Sequence, residues 1–393
     1  MAKGLASLGH DVHVVTGFPN YPKGEIYPGY KVQPYMRELI DGVTVHRGPL
    51  YPSHDGNPAR RIGNYVSFAA GAIPTSFRVP APDVWLTNST PATVAAPAML
   101  HNAIRKTPHA HIIQDLWPDS VSGSGFVTGR TSRAMSALID PFCQLSYKLS
   151  DSIGVISPKM IDLLASRGVP RAKLSYVPNS IDDSHLQPGV RPSDSLKRKL
   201  GLPSGHIFMY AGNFGKLQNL SSLISVFTGV PDAQLVLVGG GVEEGMLRQQ
   251  SAGSSNIHFV DRQSLDKIGE YIAASDVQIV SLADTPLLRV TMPSKVQAAL
   301  AAGRPVLAHA TGDAAQVVAN AKVGLAANPA DEAEAVAAIR KFLNFSPGER
   351  AEMGDRARRL YETEYSLAAG AARLEKFLTI TIERRAIDST PQA

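Results

Sequence analysis

The chain has 393 residues, of which 44% are apolar and 19% charged; this is too hydrophobic for a disordered chain, and at about 100–200 residues per domain it predicts two domains with separate cores. A net charge of +5, from 39 basic and 34 acidic residues with no clustered basic stripe, speaks against a nucleic-acid partner. The single cysteine, Cys143, excludes an intrachain disulfide, no apolar run reaches about 18 residues, and MAKGLASLGH carries no stretch suited to a signal peptide, so a cytoplasmic location is expected.

The opening KGLASLGHDV reads as the last turns of a helix, ended by Gly9 and followed by a strand. A doubly wound domain normally begins with a strand and a glycine-rich turn ahead of that helix, so the first strand of the N-terminal domain is expected to be missing. Strands are predicted at 11–16, 43–47, 83–87, 111–115, 152–157 and 174–178. A second set is predicted at 207–212, 234–239, 257–260, 277–282, 305–308 and 323–327. Short β-rich runs alternating with helical segments imply βαβ units, hence an α/β chain of two doubly wound, Rossmann-like domains. The first is expected over 1–185 and the second over 204–365, with a polar, proline-containing stretch between them. A helix at 366–387 can pack on either domain, and DSTPQA reads as a frayed tail.

Two other segments stand out. GFPNYPKGEIYPGYK is a long loop whose tyrosines either stack on a sugar or pack the loop itself. Segment 129–148 sets Arg130, Arg133 and Lys148 among Met135, Leu138, Phe142 and Leu145, which suits an interfacial helix on an anionic membrane surface or an amphipathic helix facing the core.

The most informative run is TMPSKVQAALAAGRPVLA. Pro293 suits the first helical position, with Thr291 or Met292 as cap and Gly303 as the stop. Ser294 and Lys295 then fall in the first turn, where free N–H groups and the helix dipole favour a phosphate or diphosphate. An ordinary capped helix with a solvated lysine fits the same pattern. In YAGNFGKLQNL, Asn213, Lys216 and Gln218 follow a strand and so sit at the ligand-binding edge of the sheet. In VLVGGGVEEG, Gly239, Gly240 and Gly241 allow close backbone approach to a ligand; for both segments a tight strand-to-helix turn is the alternative. The spacing is not G-x-G-x-x-G, so a nicotinamide dinucleotide is not expected. QDLWPDS puts Gln114, Asp115, Trp117 and Asp119 at a strand end, with Asp115 either a base or orienting group or a cap of the next helix. His109 and His111 share one strand face without a third ligand candidate nearby, so no metal site is expected.

Taken in order, VTGFPNYPKGEIYPGYK, QDLWPDS, VPNSID, YAGNFG, VLVGGG and PSKVQAALAAGRPV resemble glycosyltransferase family 4. Within it the chain is similar to bacterial enzymes of O-antigen, colanic-acid and exopolysaccharide assembly, fucosaminyl transferases among them. The resemblance implies a GT-B fold, two domains facing a cleft, and a UDP- or GDP-linked sugar held by the second domain. It implies a glycan acceptor, often lipid-linked at the inner membrane, on the first domain, and transfer with retention, without metal or other cofactor. Ser294 and Lys295 match the segment near the donor diphosphate, Gly239 and Gly240 the glycines near the nucleotide, and Asp115 a segment lining the cleft. The chain departs from the broad family at the usual diphosphate-binding arginine and lysine, which fall on Asn213 and Gln218 with Lys216 displaced. The family's E-x7-E glutamates fall on Val290 and Ala298. The alternatives are a non-catalytic remnant of the same fold and a nucleotide-sugar 2-epimerase, whose acid/base pairs of carboxylate and histidine the sequence does not place.

Overall fold

The computed structural model describes residues 1–53, 58–120, 129–190 and 192–389. They form two compact units, one of Met1–Val177 with Gly370–Ala393 and one of Pro178–Ala369.

The first unit contains β1 (His13–Thr16), β2 (Met36–Ile40), β3 (Val43–Arg47), β4 (Trp85–Ser89), β5 (His109–Ile113), β6 (Ser152–Val155) and β7 (Leu174–Tyr176). Among the described residues they make two separate sheets, ordered β1-β3-β2 and β4-β5-β6-β7. All pairs are parallel except β2 with β3. Strand β2 was not anticipated; it joins β3 through Asp41 (φ +49) and Gly42 (φ +79), the two left-handed positions of a type I′ hairpin. The predicted fourth strand, 111–115, is corrected to His109–Ile113. Every residue of it is buried, and the histidines stack at 5.5 Å as part of the core. His109 Nε2 lies 2.9 Å from Thr87 Oγ1, and Ser150 Oγ lies 3.3 and 3.4 Å from the Nδ1 atoms of the two rings.

Burial holds these rings neutral: it pushes His111 from 6.5 down to about 4 and lowers His109 as well. The unfolded chain therefore binds more protons than the folded one between about pH 6.5 and pH 4. The expected result is that unfolding free energy is flat above the upper limit, falls on the order of a few kcal/mol across the window, and that His111→Gln flattens part of the slope. Urea unfolding at about pH 7 and about pH 4.5 checks this; equal slopes in both proteins would exclude His111 as the cause.

The long loop is pinned by Phe18, which is buried, and by Tyr30, whose hydroxyl donates to Glu38 at 3.2 Å beneath the Arg47 guanidinium. Tyr21 and Tyr27 are exposed. The helix Gly129–Leu149 buries Cys143 and Tyr147 and exposes Leu145. The side chains of Arg130, Arg133, Met135 and Leu138 lie outside the described residues, and the described part contains no helix long and apolar enough to cross a membrane. The closing helix, Leu367–Ser389, sends Leu374 and Phe377 into the core of the first unit beside Leu5, Ala110, Ile112 and Val177.

The second unit contains β8 (His206–Asn213), β9 (Ala233–Gly240), β10 (Ile257–Asp261), β11 (Val277–Ser281), β12 (Val306–His309) and β13 (Gly324–Ala327). They pair in parallel in the order β10-β9-β8-β11-β12-β13. Helices cover both faces, so these strands read as near-continuous apolar runs. Phe208, Leu235, Leu237 and Ile279 face one core with Phe227 and Phe342; Val280, Val306 and Ala308 face the other with Val296, Leu300 and Tyr361. Ile181, bridged to Ser366, and Asp183, paired with Arg358 at 2.7 Å, tie the stretch after Pro178 to this unit.

Candidate functional site

The strand order of the second unit reverses between β8 and β11, and in open α/β sheets a ligand crevice opens at the carboxyl ends on either side of such a point. Strand β11 meets β8 only at Phe208 and Met209. From Tyr210 to Asn213, β8 is paired on its β9 side alone, so the crevice opens along these four residues.

Lys295 lies against this stretch. A Cβ on Gly212 (φ +150) would run into the Lys295 stem and stand 2.8 Å from its Nζ. The ammonium sits 5.2 Å from the centre of the buried Tyr210 ring, whose hydroxyl donates to the Asn213 carbonyl at 2.8 Å. Burial lowers the pKa of Lys295 and raises that of Tyr210. Among the described residues no carboxylate or other acceptor meets the Lys295 ammonium, so a half-buried cation is left to an outside anion.

The helix that carries it, Ser294–Ala301, is capped by Pro293 rather than begun by it, so the cap expected at Thr291 or Met292 is corrected. The stop is as expected: Gly303 (φ +63) donates to Leu300 and Arg304 to Ala299, a Schellman closure. Lys295 itself departs from the solvated lysine of the sequence reading, since its stem is folded over Gly212. Ser294 is exposed and borders a different pocket, about 680 Å³, shared with Asp182, His185 and Asp266.

The turns after β8 and β9 lock together. Phe214 N–H donates to Gly240 at 2.9 Å and Glu243 N–H to Phe214 at 3.1 Å. Gly239 (φ +145) presses on the Gly212 carbonyl oxygen, where a Cβ would collide. Gly240 is half-exposed, and a Cβ there would stand 3.1 Å from Glu244 Oε2. Asn213 Nδ2 and Gln218 Oε1 converge over Gly215, at 2.8 and 2.9 Å from where its Cβ would be, while Lys216 is exposed in the short turn Lys216–Gln218. The structure thus brings Lys295, Asn213, Gln218, Gly239 and Gly240 to one sheet edge.

Three features of this edge were missed. Tyr210, two residues before Gly212 and so on the same strand face, is the platform under Lys295. Asp284, just past β11, accepts from Arg289 at 2.6 and 2.7 Å and from Thr311 at 2.5 Å. These bonds hold its carboxyl down at about 2 and leave Arg289 already neutralised. His309, at the end of β12, is buried with Nδ1 3.1 Å from Ser281 Oγ and Nε2 without a partner among the described residues.

In the first unit Asp115 lies two residues past the end of β5, is exposed, and accepts no hydrogen bond from any described residue, so it caps no described helix. Asp119 is clamped by Arg167 at 2.7 and 2.8 Å, and Trp117 packs edge-on to Tyr65 at 6.0 Å.

Residues 1–180 match the glycosyl transferase 4-like domain, and residues 193–360 match glycosyl transferases group 1. The chain is 27% identical over 316 residues, 77% of its length and 76% of the relative's, to the putative colanic acid biosynthesis glycosyl transferase WcaI of Escherichia coli K12. Sucrose-phosphate synthase from Thermosynechococcus elongatus shares its fold with a TM-score of 0.72 at 18% identity, covering 99% of this chain and 92% of that one. HepE from Anabaena, solved with UDP-glucose, does so with a TM-score of 0.62 at 15% identity over 83% and 84% of the two chains. With one family domain matched in each half and the fold shared throughout, the chain belongs to the family 4 glycosyltransferases of GT-B fold.

Proposed function

We propose that the chain transfers a sugar from a UDP- or GDP-linked donor to a lipid-linked glycan in bacterial surface polysaccharide synthesis, with retention of configuration. The observation that carries the donor assignment is the unneutralised Lys295 ammonium beside Gly212 at the switch point. A diphosphate seated there receives that ammonium and the free N–H groups at the start of the Ser294–Ala301 helix. Asn213 and Gln218 offer neutral donors in place of further cations, and Gly240 admits the nucleotide's backbone-side approach. Glu244 beside Gly240 suits sugar hydroxyls rather than phosphate. Asp115, exposed and unengaged, is the carboxylate for the acceptor side. The likeness to a colanic acid biosynthesis enzyme and to a protein solved with UDP-glucose supports the substrate class.

The test is release of nucleoside diphosphate from a panel of UDP- and GDP-sugars with bacterial polyprenyl-linked glycans as acceptors. Proton NMR of the product reads the anomeric outcome; an inverted linkage would remove retention, and no turnover with any pair would remove the transferase reading. Because Lys295 and a helix N-terminus meet the diphosphate charge, activity is expected to survive EDTA unchanged. Loss with EDTA and recovery with Mn²⁺ would show that an ion shares that work.

A further inference from the structure

Strands β8 and β11 share ladder pairs only at Phe208 and Met209 among the described residues, so sheet pairing does not hold together the turns that leave the carboxyl edge beside the switch point. The turn after β8 carries Asn213 and Gln218. A bond across the crevice joins it to the loop after β11: the Ala283 N–H donates to the Leu217 carbonyl at 2.9 Å. Leu217 and Ala283 are both half-buried and pack against the same core.

The next residue, Asp284, fixes that loop. Its carboxylate accepts from Arg289 Nε and Nη2 at 2.6 and 2.7 Å, which closes the loop on itself. It also accepts from Thr311 Oγ1 at 2.5 Å, which fastens the loop to the turn after β12. This tie lies beyond the end of the β11–β12 ladder, where Leu282 donates to His309 at 3.1 Å. Gly312 (φ +75) makes room for it, since a Cβ there would strike the Arg289 carbonyl. Inside the loop Thr285 caps the short helix Pro286–Arg289, accepting from the Leu288 N–H at 3.2 Å, and Thr291 Oγ1 donates to the Leu287 carbonyl at 2.8 Å.

Ion pairs that water reaches contribute little to folding, and Arg289 is half-exposed. What a bidentate carboxylate–guanidinium pair fixes is direction. Arg289 also matches the charge of Asp284, which keeps a carboxylate at this edge from repelling a diphosphate. We propose, on the reading of this edge as the donor site, that Asp284 is a positioning residue for the nucleotide-sugar donor. Acting through Ala283 and Leu217, it sets the turn from which the Asn213 and Gln218 amides meet the donor.

The test titrates UDP and GDP calorimetrically into the parent chain, Asp284→Ala and Asp284→Asn. Asp284→Ala is then repeated in two backgrounds: Lys295→Ala, and Asn213→Ala combined with Gln218→Ala. Asp284→Ala should weaken binding by roughly tenfold, the effect of a misplaced turn. Asp284→Asn, which still accepts from Thr311 and from one Arg289 N–H, should lose no more than about threefold. The tenfold loss should persist beside Lys295→Ala, which lies on a different element, and fall below about twofold once the two amides are gone. Melting temperatures should stay within about 2 °C of the parent. Unchanged affinity in Asp284→Ala, tighter binding through an Arg289 set free, or the same tenfold loss without the two amides would overturn the proposal and leave the donor site standing. So would melting several degrees lower in both Asp284 variants, because the pair would then be a support of the fold. If Lys295→Ala and the paired amide variant also bind as the parent does, the donor site itself falls, and the proposal with it.

Discussion

Lys295→Ala lowers the affinity for the nucleotide-sugar donor by roughly 10- to 150-fold, the loss of one charge-assisted contact of about 1.5–3 kcal/mol. The expectation is large because few cations share this edge: Arg289 is held by Asp284, and the positions that follow the first turn of the unit carry Asn213 and Gln218. The effect on folding differs from that of an exposed lysine, which the sequence alone suggests would be close to nothing. Here the ammonium is half-buried over Tyr210 without an anion, and burial already lowers its pKa. Removing an unpaired charge while keeping its apolar stem relieves a desolvation cost, so Lys295→Met should melt at or above the parent temperature in the absence of donor. Calorimetric titration with UDP- and GDP-sugars and paired melting curves provide the check. Unchanged affinity would remove Lys295 from the donor site, and a melting temperature several degrees lower for Lys295→Met would mean that the ammonium has a structural role.

The second large effect is expected at Gly239. Its φ of +145° lies where side chains are strained, and a Cβ there collides with the Gly212 carbonyl oxygen. Gly239→Ala must push apart the turns that the Phe214–Gly240 and Glu243–Phe214 bonds hold together. A destabilisation of about 2–4 kcal/mol follows, with donor binding lost along with the geometry of the edge. Gly240→Ala is the informative contrast, because its Cβ meets only the end of the Glu244 side chain, which can move. It should keep the fold and weaken donor binding alone. Equal stability of Gly239→Ala and the parent would show that the turns are not interlocked in solution.

These two sites illustrate how far a sequence carries. The strands of the second unit are legible because helices on both faces make each one an apolar run, as in QLVLVG and IFMYAG. Strand β2 was not legible by that signal: its pattern is mostly exposed, and only the Asp41-Gly42 pair marks the hairpin. The expected strand ran on to Gln114 and Asp115 and left out His109 and Ala110, because its apolar run was followed towards the polar end, whereas His109 and His111 are core rings and the strand stops at Ile113. At the site, the glycines and the Ser-Lys helix start are local features and could be picked out. What surrounds Lys295 is not local. Tyr210 and Gly212 reach it only because β8 lies next to β11 in the sheet, and sequence spacing does not encode that adjacency.

The return of the closing helix to the first unit has a consequence for synthesis. Leu374 and Phe377 fill the core around Leu5, Ala110, Ile112 and Val177, and Gly4 leaves room for Ala371, where a Cβ would come within 2.9 Å. The second unit is a single stretch of chain and can condense as soon as it has left the ribosome. The first has most of its strands in hand earlier but must hold an open core, through the whole synthesis of its neighbour, for a helix made after it. Of the two units, the one begun earlier is therefore completed later, and the interval in between is when its apolar strands stand most exposed to aggregation.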